Sequence, residues 1–153
     1  MTERQEKLAE QYRFLNVVCL GFVLSVSFLV VVAWFVTDGP AAMGALMPGQ
    51  STLLGFGGTA LGLVLLLVAP VVQRRLLERS DPPGADGDPT PVLENYRIAI
   101  LLAFVLREGA ALVGLMTTLV TGEALWCYLL SGAAIVAMFW GWPRQDDLVH
   151  TPI

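Results

Sequence analysis

Two adjacent charged residues, Arg107 and Glu108, interrupt an apolar stretch that runs from Ile98 to Val120, and no other Asp, Glu, Lys or Arg falls inside any long apolar run of the chain. A carboxylate in hydrocarbon can take up and release a proton or a cation. Alternatively, the two charges form a buried ion pair that fixes which helices pack together. An arginine next door favours the ionised carboxylate and so opposes proton uptake. Neighbouring residues of a helix project about 100° apart, so the two side chains cannot share one stripe, and each calls for a partner on another helix or subunit. Glu108 lies eleven residues beyond Arg97, about 16 Å along a helix, which is close to the bilayer midplane.

A second pattern lies upstream. Gly55, Gly57, Gly58, Thr59 and Gly62 crowd into one apolar run, with Gly58 and Gly62 four apart and Gly55 and Thr59 four apart. Small residues at that spacing make a groove in which another helix can approach closely. Gly109, Ala110, Ala111 and Gly114 offer a matching small surface. The expectation is therefore that the third apolar run docks on the second, with Glu108 near the glycines.

The elements that must position these residues are set by composition. Of 153 residues, 56% are hydrophobic and only 14% charged, and the mean hydropathy is +0.68. Soluble domains carry roughly a quarter charged residues, so an ordinary water-soluble enzyme is excluded and the lipid bilayer is the implied solvent. Four spans are predicted: 14–36, 53–72, 98–120 and 124–142, joined by a polar linker over 73–97. The fold class is all-α, a polytopic membrane protein built as a four-transmembrane-helix bundle and forming a single membrane domain over 1–153. The first run exceeds the apolar core of a secretory signal and reads as a retained span.

Basic residues set the orientation. Arg4, Lys7 and Arg13 precede span one, Arg74, Arg75, Arg79 and Arg97 lie between spans two and three, and Arg144 follows span four. The other two connections carry no Lys or Arg, so both termini and the linker are expected in the cytoplasm, with the bacterial inner membrane as the compartment. Trp34 and Trp126 fall near the outer ends, and Tyr12, Tyr96, Trp140 and Trp142 near the inner ones, as amphipathic rings do at headgroup level. Within the linker, Ser80 to Pro91 holds three aspartates among prolines and glycines. Their spacing is that of a solvated linker and not of a helix-flanked calcium loop.

The stretch from Arg97 through Glu108 to Gly114 and Leu115 has a basic start, aliphatic and small residues, a mid-membrane Glu and a Gly-Leu pair. It resembles the carboxylate-bearing helix of the proteolipid subunit c of rotary ATP synthases. The glycine-rich run and the basic loop before it are similar to that family's first helix and loop, so the likeness covers Gly55 to Thr121. It implies that Glu108 carries the ion and that Gly55, Gly57, Gly58 and Gly62 line a close-packed ring of subunits. Spans one and four have no counterpart in the common two-helix form. The whole pattern also resembles small four-span bacterial membrane proteins without assigned activity.

Several classes of chemistry are disfavoured. His150 is the only histidine and lies four residues from the end, so neither a His-based triad nor a multi-histidine metal or haem site can form within one chain, and no cofactor is expected. Ser25, Ser27 and Ser131 are lone hydroxyls in apolar helices, where bonding to a preceding carbonyl is the ordinary role. Cys19 and Cys127 lie in apolar runs and read as small buried hydrophobes. Nine scattered basic residues make no nucleic-acid surface. The reading that follows is a non-enzymatic structural or accessory membrane protein, which oligomerises or joins other membrane subunits through spans two and three. Proton or cation translocation through Glu108 is the alternative.

Overall fold

The structure, a computed structural model, describes residues 3–38, 51–78 and 90–143. They form four helices: α1 (Glu3–Thr37), α2 (Ser51–Glu78), α3 (Thr90–Thr121) and α4 (Leu125–Trp140). The protein is an all-α four-helix bundle, and α1, α2 and α3 are long and apolar enough to cross a membrane. Helix α4 has 16 residues, about 24 Å of rise against a hydrocarbon core of about 30 Å. It therefore covers less than the 124–142 expected of the fourth span, stopping where Gly141 and Pro143 end the helical pattern.

Three boundaries extend well beyond the apolar runs, the first being α1, which starts at Glu3, eleven residues before the expected span. Helix α2 continues to Glu78, and there Arg74 Nε donates to Glu78 Oε1 one turn on, at 3.0 Å. Helix α3 starts at Thr90, well inside the expected linker. Pro91 falls in its first turn, where an N–H has no helical partner to lose. The three aspartates of the linker, His150 and most of the outer connection lie outside the described residues.

Helix α3 is the centre of the bundle. Half of its most apolar window is buried, against 17% for α1 and for α2. It packs against all three other helices, whereas α1 and α2 make no extended contact with each other. The pairs Arg97 with Phe14 and Glu108 with Ser25 make α1 and α3 run in the same direction. Gly58 against Thr117 and Gly109 against Leu65 make α2 antiparallel to α3, and Gly114 against Cys127 with Arg107 against Gly141 do the same for α4. The core forms where α1, α3 and α4 meet, around Cys19, Val26, Ile100, Phe104, Ala134 and Met138. Phe104 holds it together, with its ring 5.9 Å from Phe22 and 6.3 Å from Trp142.

The turn between α3 and α4 is three residues long. It requires a left-handed residue, supplied by Gly122 at φ 76°, whose N–H donates to Thr118 O at 2.7 Å in the manner of a helix C-cap.

Candidate functional site

Arg107 and Glu108 occupy one level of α3 and reach in different directions. Glu108 turns to α1, where Ser25 Oγ donates to its Oε1 at 2.5 Å. Arg107 turns to the end of α4 and is only 4% exposed. Its guanidinium rests against Gly141, where a Cβ would stand 2.5 Å from both Nη atoms, and its Cζ lies 5.4 Å from the Phe104 ring centre. The two do not pair with each other, and among the described residues no carboxylate lies within ion-pair distance of Arg107. The helical angle between adjacent positions is the reason: it gives each side chain its own neighbouring helix.

What Arg107 meets is a helix terminus. The C-terminal end of an α-helix carries about half a negative charge from its unpaired carbonyls. Helix α4 has no basic residue in its own last turn, so Arg107 supplies that cation from α3. Its Nε and Nη1 are buried without a hydrogen-bond acceptor, so the attraction is electrostatic and not directional.

The other end of α4 is also served by α3. Its N-cap, Ala124, has no side-chain acceptor. Thr118 Oγ1 takes that place, accepting from Cys127 N at 3.1 Å while donating to Glu123 O at 3.0 Å. Both termini of the short helix thus meet side chains of its neighbour, a hydrogen-bonding hydroxyl at one end and, at the other, a guanidinium whose Nε and Nη1 have no acceptor.

Past α4 the backbone is irregular, a state tolerated at membrane depth only where the chain is buried in protein. Gly141 N–H donates to Ala137 O and Trp142 N–H to Phe139 O, while Pro143 has no N–H to satisfy. Helix α1 takes the remainder: Trp142 Nε1 donates to Asn16 Oδ1 at 2.9 Å, and Tyr12 Oη donates to Pro143 O at 3.3 Å.

The small residues divide. The α2 groove is filled from within the chain by two helices: Gly58 faces Thr117 of α3, while Gly55 faces the Trp126 ring and Gly62 faces Leu130, both of α4. Gly109 meets Leu65, and Gly114 lets α3 come within 3.2 Å, measured from its would-be Cβ, of the Cys127 Cα and the Trp126 carbonyl. Gly57 faces open space, and Thr59 Oγ1 is buried without a partner. Glu108 is not against these glycines, because its direction on α3 leads to α1.

Four residues that matter here were not identified from the sequence. Ser25 was expected to bond a preceding carbonyl, but Ser27 does so, to Val23 O at 2.8 Å, while Ser25 serves Glu108. Asn16 is the one strongly polar side chain of its apolar run, and that singularity was the available signal. Thr118 and Gly141 carried no signal, since their roles depend on which helix lies opposite.

No group of three or more His, Cys, Asp or Glu that could hold a metal ion occurs among the described residues. Comparison with protein-family models, curated proteins and solved structures finds no match.

Proposed function

We propose that this chain is an integral membrane structural or accessory component, which oligomerises or joins a larger membrane complex through α2 and α3. One observation carries the reading: Arg107 and Glu108 are each spent on a helix–helix contact inside the bundle, one on the end of α4 and the other on Ser25 of α1. Charges used in this way fix the register of the helices. The surface left for assembly through these two helices includes a row along α3, Ile98, Leu102, Val105, Leu112 and Met116, and the exposed face of α2 with Phe56, Leu63, Leu67 and Val71. The basic residues around the linker and the termini support a bacterial inner membrane location with both termini cytoplasmic.

Glu108 is half-buried and has no cationic side chain within ion-pair distance among the described residues, and this favours a second reading, in which it binds a proton or cation. Glu108→Gln separates the two. Intact assembly with loss of ion flux in reconstituted vesicles and loss of carbodiimide labelling supports translocation, whereas loosened helix packing or a dissociated assembly without any flux to lose supports the structural role.

A further inference from the structure

The helices present lipid with apolar faces of different height. On α1 the exposed large hydrophobics run from Phe14 (47%) to Phe35 (44%), 21 residues apart, about 32 Å of rise. On α4 they run from Leu125 (56%) to Trp140 (84%), 15 residues apart, about 23 Å. A hydrocarbon core of about 30 Å matches the first and exceeds the second.

The ends of the short face are marked by indoles. Trp140 is the most exposed large hydrophobic residue of those described, and at the other end Trp126 Nε1 donates to Glu123 Oε2 at 3.0 Å. Indole rings settle at headgroup level. After Trp140 the chain turns inward: Gly141 and Trp142 are half-buried and Pro143 is buried, so they offer lipid no further apolar surface.

Arg107 adds an independent observation. It lies at the level where α4 ends, with two buried guanidinium nitrogens lacking acceptors. In a bilayer of uniform thickness bounded at Arg97, that charge is about 15 Å inside the hydrocarbon. If the headgroup boundary is drawn in beside α4, the charge lies within a side-chain length of it, and the cost of holding an arginine there falls.

We infer that the bundle carries a hydrophobic belt of unequal height and binds phospholipids of shorter acyl chain along α4, thinning the bilayer locally to the level of Trp140 and Arg107. Length mismatch between a span and its bilayer is relieved by such thinning at modest cost per ångström. The partner is thus a lipid annulus that differs from one side of the protein to the other.

The test uses the full chain in vesicles of phosphatidylcholines with myristoleoyl, palmitoleoyl, oleoyl, eicosenoyl or erucoyl chains, doped with brominated phosphatidylcholine as a quencher. A Trp34→Phe/Trp126→Phe variant, compared with one also carrying Trp140→Phe, isolates the quenching of Trp140. Trp126→Phe/Trp140→Phe reports Trp34 in the same way. The expected result is that lipid at Trp140 favours the two shortest chains over the longest by roughly three-fold, while lipid at Trp34 favours oleoyl or longer. The same chain-length profile at both indoles overturns the proposal. Should the substituted chains not fold, resistance of the unmodified protein to unfolding by dodecyl sulfate is compared across the same bilayers. A maximum at palmitoleoyl or shorter supports the thin face, and a maximum at oleoyl or longer overturns it.

Discussion

Arg107 stands at the C-terminus of α4 with its guanidinium against Gly141, and so one helix provides the charge complement that the other lacks. This contact sets the buried arginine against the partial negative charge of a helix end, which needs no second desolvated side chain, while its Nε and Nη1 have no acceptor.

Filling the space at Gly141 tests that relationship. Gly141→Val should push the guanidinium away and fray the last turn of α4, at a cost of about 1 kcal/mol. Hydrogen exchange in detergent should quicken at the amides of Phe139 to Gly141 and leave those around Leu125 to Cys127 unchanged.

At the opposite end, Thr118→Val keeps the shape and removes both hydrogen bonds of the hydroxyl. A loss of about 1–2 kcal/mol is expected, typical of an N-cap acceptor, with Thr118→Ser retaining most of the stability. Equilibrium unfolding in mixed micelles reads the difference, and equal stability of the two variants would remove Thr118 from its capping role.

Ser25 and Ser27 look alike in sequence and differ in partner. Ser25→Ala should release the Glu108 carboxyl, destabilise the α1–α3 contact by about 1 kcal/mol and speed carbodiimide labelling of Glu108. Ser27→Ala removes only a bond to the backbone of its own helix and should change neither quantity.

The glycines should separate just as sharply. At Gly114 an added Cβ meets the backbone of α4 at 3.2 Å, and backbone cannot step aside, so Gly114→Ala should weaken the α3–α4 crossing by about 1–3 kcal/mol. Gly57→Ala points into open space and should be neutral or slightly stabilising through helix propensity. Gly62→Leu, directed at Leu130, should be the most damaging of the three. Unfolding in mixed micelles orders the set, and a Gly57 variant as damaged as the Gly114 one would sink the packing described here.

The sequence by itself determined that this is a membrane protein of four helices, since a bilayer imposes long uncharged runs with internally satisfied backbones, and that requirement is written locally in each run. It also singled out Arg107 and Glu108, because a charge in such a run is conspicuous whatever surrounds it, and it marked the small residues of α2 as a packing face. Tertiary structure decided what each of these touches. Whether Glu108 meets α1 or α2, whether Arg107 meets a carboxylate or a helix end, and why Ser25 differs from Ser27 depend on the rotation and height of neighbouring helices. Those follow from the close fit of Gly58 to Thr117 and Gly114 to Cys127, contacts between residues far apart in the chain that no periodicity within one helix encodes.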